Sequence, residues 1–307
     1  MPATRFICPD KQTIAISNCL APQGCRMNER CATVPYLRHI AKQRPFVKVT
    51  PSAAGNGARY IYLKAIHEYA IDPYAMTWAV LGTAAHELLS NREIVDNVFE
   101  EMPLSHDAME GIPDVLERDE FNAGSYILTD YKTFGSYKVA KCLGLEKIQQ
   151  ALRDSDGRVV TFKSGKNKGN PKMISVFTHT GTRDIKNEML QLNCYRIMYE
   201  AAGFPVSRMN LQVIVRDGAT YIAKSRGIKE NMYLIDIPRM KDGEVLGYYK
   251  ALQSAVSDAL ITGWAPKCSA EESWDGRRCK GYCDVAKQCA EMPEFEEVRD
   301  GQCVASH

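Results

Sequence analysis

The segment Ser125-Tyr126-Ile127-Leu128-Thr129-Asp130-Tyr131-Lys132 constrains this chain more than any other. Its side chains are apolar or small on both faces up to the final charges, which predicts an interior strand. Successive side chains of a strand point to opposite faces, so Asp130 and Lys132 share one face while Tyr131 points to the other. Desolvating a carboxylate and an ammonium inside a sheet is costly unless a metal or counter-charge compensates them. The segment therefore predicts a central strand and, at its end, a charged site. Just upstream, Gly111-Ile112-Pro113-Asp114 leads into Val115-Leu116 and a Glu117-Arg118-Asp119-Glu120 turn. That is the pattern of a hairpin in which Asp114 opens the first strand and faces Asp130 across the pair. Two carboxylates so placed make a hard oxygen pocket suited to Mg²⁺ or Mn²⁺.

The remaining pattern predicts an α/β fold. Tyr60 to Tyr69 and Asp72-Pro73 to about Leu89 read as two helices in series. A third runs from Asp184 to Gly203, with Leu190, Cys194, Ile197 and Ala201 on one stripe and Gly203 as its stop. Leu211–Val215, Thr220–Ala223 and Met232–Ile237 are strand-like, and Val245 to Ile261 returns to helical period. The 307 residues accommodate one main domain with small appended modules. We expect a Cys-rich N-terminal module at 1–45, a core at 46–262 and a Cys-rich C-terminal module at 263–307. Within the core, residues 154–184 are rich in Gly, Lys, Asn and Ser and predict a flexible insertion.

A net charge of +2 argues against coating nucleic acid by bulk electrostatics, so any contact with DNA is expected in a local basic groove. No apolar run approaches the roughly 20 residues that span a bilayer. Residues 1–20 lack the apolar core of a signal peptide, and a cytoplasmic protein with no membrane partner is the expectation. The eleven cysteines gather at the two ends. Cys8, Cys19, Cys25 and Cys31 open the chain and Cys268, Cys279, Cys283 and Cys289 lie near its end, with Cys142, Cys194 and Cys303 apart. In a reducing compartment such clusters hold metal more often than disulfides.

Gly82-x-x-x-His86, then Gly111-x-Pro113-Asp114, then Asp130-x-Lys132, then Gln191-x-x-x-Tyr195, in that order, resemble the PD-(D/E)XK nucleases. The likeness is to the RecB-like exonuclease branch that includes CRISPR-associated exonucleases, and it covers roughly residues 50 to 290. It implies a restriction-endonuclease-like core, a central mixed sheet flanked by helices, with Cys-rich metal-binding termini. It also implies that His86, Asp114 and Asp130 bind the metal, that Lys132 assists the attacking water, and that Gln191 and Tyr195 line the site and position DNA. Relatives of this branch tie their chain ends together with an iron–sulfur cluster, held by one upstream and three C-terminal cysteines. Cys279, Cys283 and Cys289 resemble that trio, although the first gap is one residue longer than the family's. Two four-cysteine zinc sites, one per terminus, stand as the alternative.

Three activities remain open from the sequence. The resemblance implies a metal-dependent DNA exonuclease acting on single strands or ends in recombination, repair or replication. The same core also supports an endonuclease or nickase, and a non-catalytic DNA-binding scaffold would retain only the metal-bound termini.

Overall fold

The structure is a computed structural model, which describes residues 3–42, 48–89, 98–106 and 109–292. The chain forms two compact units, Met1–Val80 together with Gly243–His307, and Leu81–Asp242. This division differs from the three consecutive segments expected, because both Cys-rich stretches fall in the same unit.

The first unit begins with β1 (Ala3–Ile7), β2 (Thr13–Ala15), α1 (Ile16–Leu20), α2 (Val34–Ile40), α3 (Ala58–Ile66) and β3 (Tyr69–Ile71). β1 is the middle strand, antiparallel to β2 and parallel to β3. The helix expected to reach Tyr69 therefore ends earlier. Tyr69, Ala70 and Ile71 are taken up by pairing with a strand more than sixty residues upstream, and such tertiary pairing overrides local period in a short segment.

The second unit is an α/β layer. α4 (Thr77–Leu89) leads into β4 (Val98–Glu100), a small hairpin of β5 (Leu104–His106) and β6 (Met109–Gly111), β7 (Val115–Arg118), β8 (Tyr126–Phe134) and α5 (Ser136–Cys142). Then come β9 (Leu145–Ala151), β10 (Met173–His179), α6 (Lys186–Ala201), β11 (Val206–Val215), α7 (Tyr221–Ser225) and β12 (Met232–Asp236). A five-stranded mixed sheet in the order β12-β11-β8-β7-β4 is central to it, with β8 in the middle, parallel to β11 and antiparallel to β7. Helices flank this sheet, and the buried side chains of α6 include Leu190, Leu192, Cys194 and Ile197. α6 closes as its sequence predicts: Gly203 takes the left-handed conformation, φ +91°. The amide of Phe204 then donates to the Tyr199 carbonyl at 2.9 Å, capping the last turn.

Two expectations fail here. Thr220–Ala223 is not a strand, because the Thr220 hydroxyl accepts from the Ala223 amide at 3.1 Å and caps α7. Residues 154–184 contain ordered pairing: β9 and β10 are antiparallel from Leu145↔His179 to Ala151↔Met173. Bridges Arg153↔Val159 and Thr161↔Pro171 extend that arm, with Gly157, Gly165 and Gly169 at positive φ in its turns. Gly and Lys enrichment marked these turns, and the β-branched residues between them supply the pairing.

The chain returns to the first unit through α8 (Asp242–Thr262), α9 (Arg277–Gly281) and α10 (Ala286–Glu291). Ala259, Ala265 and Val285 join Phe6, Leu37, Ile40, Leu63 and Ile71 in one apolar core. Buried Arg59 donates from Nε to the Ala265 carbonyl at 2.7 Å and ties α3 to this returning segment. Among the described residues no helix is long and apolar enough to cross a membrane.

Candidate active site

Asp114 immediately precedes β7, whose register pairs Val115 with Thr129 and Leu116 with Leu128. Asp114 lies just outside that ladder, near enough for its charge to act on Asp130. Its Oδ2 accepts from the Tyr131 backbone amide at 2.6 Å, which fixes the carboxylate against β8. Its Oδ1 lies 3.1 Å from Nδ1 of His86 on α4. With Nδ1 engaged in this way the other imidazole nitrogen, Nε2, is left as the ring's ligand atom. The Asp114 hydrogen bond raises the His86 pKa above its ordinary value, against the opposing effect of burial.

Asp130 is only 3% exposed, in the middle of the central strand. Lys132, on the same face, forms an ion pair with its Oδ2. That ammonium occupies the oxygen a cation would take, so a bound ion would have to share the carboxylate with Lys132 or displace it. Its Oδ1 accepts from Nε2 of Gln191 on α6 at 3.3 Å. Burial pushes the Asp130 carboxyl up to about 6, with Lys132 pulling down and the Asp114 charge pushing further up.

Five of the six residues singled out from sequence therefore fall into two contact groups, His86 with Asp114 and Asp130 with Lys132 and Gln191, linked by their charges. The sixth, Tyr195, is 4% exposed and hydrogen-bonded with Gln191, one helical turn away, so its direct partner is that glutamine. α4 meets the opposite face of β8. A Cβ on Gly82 would stand 3.5 Å from the Thr133 hydroxyl, and the His86 ring meets Tyr131 edge-on at 6.1 Å between centroids. Tyr131 is the residue that sequence reasoning passed over. Alternation correctly turned its side chain away from Asp130, but its backbone amide holds Asp114 and its ring braces His86. No side-chain pattern could have revealed an amide contact.

The donor set fits a hard divalent cation. Asp114 holds the His86 imidazole, and the charges of both act on the buried Asp130 carboxylate. As arranged, both Asp114 oxygens are already engaged, by His86 and by the Tyr131 amide. Among the described residues no three His, Cys, Asp or Glu side chains already stand where they would share an ion.

The terminal thiols fall into two groups, and Cys303 lies outside the described residues. Cys8, Cys19, Cys25 and Cys31 line one small pocket in the first unit. Burial raises the pKa of Cys19, and the neighbouring Cys25, Cys31 and Cys8 raise it further. Burial also raises Cys268, with a contribution from Cys289, and Cys283, with a contribution from Cys279. The expected iron–sulfur cluster would draw one upstream cysteine to the C-terminal trio. The upstream thiols line a pocket of their own.

No model of a known protein family matches this chain. No curated protein matches it either. Among solved structures, the crystal structure of a protein called SSO0001 matches at 14% sequence identity and a TM-score of 0.36, covering 84% of this chain and 93% of that one.

Proposed function

We propose that this chain is a divalent-metal-dependent deoxyribonuclease with a restriction-endonuclease-like core, acting as an exonuclease on single strands or DNA ends. The observation that carries the reading is Asp130, a buried central-strand carboxylate that pairs with Lys132 and feels the charges of Asp114 and His86. Sheets bury such charge at a cost that structure alone does not repay. The four sequence motifs in their family order supply the chemical class.

Asp130 and Asp114, with Nε2 of His86, would hold the ion. When bound, it would supply Lewis acidity toward a phosphate oxygen and toward the attacking water. The Lys132 ammonium would orient that water and offset the negative charge that grows on the phosphate as the P–O bond breaks. Gln191 holds Asp130 Oδ1, and Tyr195 holds Gln191, so α6 fixes the carboxylate's orientation. DNA would be drawn in part by the β9–β10 arm. Residues 145–179 carry seven Lys and Arg against three Asp and Glu, in a chain whose total charge is only +2.

The test uses purified protein with Mn²⁺ and two labelled single-stranded DNAs, one linear and one circular. The reading expects the linear strand to be degraded, the circle to survive, and Asp130→Ala and Lys132→Ala to be inactive. Cutting of the circle would make the enzyme an endonuclease. Equal activity of both variants and the parent would remove the site.

A further inference from the structure

The pocket lined by the four N-terminal cysteines assembles residues from three parts of the chain. Cys8 follows β1, Cys19 lies in α1, and Cys25 and Cys31 belong to the irregular stretch between α1 and α2. That stretch, residues 21–33, has no helix or strand, and two of its non-glycine residues, Gln23 and Asn28, sit at φ +57° and +61°. Connections of this length without regular structure are uncommon in compact units unless something else holds them. Apolar packing does little here, since Met27 is among the exposed hydrophobic residues while α1 has only five residues.

The charges around the pocket point to an anionic centre. Arg26 and Arg30 both line it. Arg26 is held by Asp10 and by the Gln12 side chain at 2.7 Å, and it also hydrogen-bonds Cys8. Arg30 donates to the Ala21 carbonyl at 2.8 Å, but its Nε is buried with no acceptor. A buried guanidinium N–H without an acceptor is costly. A thiolate on the same pocket would satisfy it, and Arg30 would offset part of the −2 charge of four thiolates around one Zn²⁺, Arg26 being paired with Asp10 and Glu29 also lining the pocket.

Size selects the occupant. The cavity is about 20 Å³, and a space of roughly 10–15 Å³ already admits a single water-sized sphere. A single ion is accommodated by a space of that size.

We infer that Cys8, Cys19, Cys25 and Cys31 form a structural zinc site of their own, independent of the C-terminal cysteines, which pins the irregular segment onto β1 and α1. Ligation converts the four thiols to thiolates and releases their protons, and Cys25 gives up its bond to the Glu29 carbonyl, now 3.1 Å long. As the side chains stand, no three of these thiols share one ligating point, so ligation requires them to turn between staggered χ1 wells toward the pocket they line. The closed four-sulfur set is the usual structural zinc arrangement and leaves no position for a substrate. This inference is separate from the nuclease reading, because zinc content does not depend on DNA cleavage.

The full chain, purified under reducing conditions, is analysed for metals by plasma mass spectrometry. Two double variants are compared with it, Cys25→Ser/Cys31→Ser and Cys279→Ser/Cys283→Ser. The expected result is that the first loses about one equivalent of zinc and melts at a lower temperature, while the second retains that equivalent. Should the first variant fail to fold, cobalt(II) is substituted into the parent and the second variant. A thiolate-to-cobalt charge-transfer band of tetrahedral type, present in both, carries the inference. It is overturned if the first variant keeps all its zinc, if the second loses this equivalent, or if the cobalt band vanishes in the second. Disulfides among Cys8, Cys19, Cys25 and Cys31 in the unreduced parent would overturn it equally.

Discussion

Replacing Asp130 with Asn should remove one of the two protons that compete with the metal, and the size of the effect follows from the burial of that carboxylate. Its ordinary value of 3.8 is raised to about 6, chiefly by burial. A carboxyl whose folded pKa exceeds its unfolded one binds more protons when folded, so stability falls as pH rises from about 4 to about 6 and stays lower above that. The interval of about two pH units corresponds to about 3 kcal/mol at 1.36 kcal/mol per unit. His86 acts over a higher window. Its hydrogen bond to Asp114 raises its pKa, so it contributes stability that is fully present below about pH 6.5 and is lost as pH climbs through the raised value. A divalent ion needs the ionised carboxylate and the neutral imidazole, so it competes with both protons. Mn²⁺ affinity should fall about tenfold per pH unit where only His86 is protonated, and about a hundredfold per unit below about pH 6, where Asp130 joins it. Isothermal titration with Mn²⁺ across pH values from about 5 to about 8 reads both slopes. In Asp130→Asn the affinity should be at least tenfold weaker at the upper end, and the steeper slope should vanish. The reasoning is refuted if the parent's affinity is flat between about pH 5 and 7, or if Asp130→Asn binds Mn²⁺ as tightly as the parent with the same pH profile.

Lys132→Met should lower kcat by about 10²–10³-fold while leaving Mn²⁺ affinity within a few-fold, since the ammonium acts on developing charge more than on the ion; single-turnover cleavage alongside titration checks this. Asp114→Asn should lower the His86 pKa, because the anionic acceptor that raises it is gone; NMR titration of the imidazole gives the direction directly. Changing Lys163, Lys166, Lys168 and Lys172 to Gln should flatten the dependence of single-stranded DNA affinity on salt by about 0.7 for each lysine–phosphate ion pair removed. Binding measured in EDTA over a range of salt concentrations decides it, and an unchanged slope would leave the arm as solvated surface.

The β7–β8 pair was legible because period-2 alternation and the Pro113-Asp114 turn are local signals, and β8 proved central because its apolar residues serve both faces. α6 was legible for a similar reason, its stripe and Gly203 being contiguous. What was not legible was decided by distant or backbone partners. Tyr69–Ile71 became a strand because β1 was available to pair with it, and Thr220 capped a short helix where its neighbours looked β-rich. In the site, the shared face of Asp130 and Lys132 followed from alternation, but the phase of α4 that turns His86 onto Asp114 did not, nor did the Tyr131 amide contact. Clustering of the cysteines was plain in the sequence. That the first four share a pocket was not, because its walls come from β1, α1 and an irregular loop that no periodicity describes.

The most direct measurement is an anomalous difference map from crystals of the full chain soaked in Mn²⁺. The account predicts a peak about 2.0–2.6 Å from Asp130 Oδ2, within ligand distance of Asp114 or His86 as well, and absent from Asp130→Asn crystals. Crystals of an actively cleaving protein whose manganese lies elsewhere, with Asp130 bound only to Lys132 and Gln191, would contradict it.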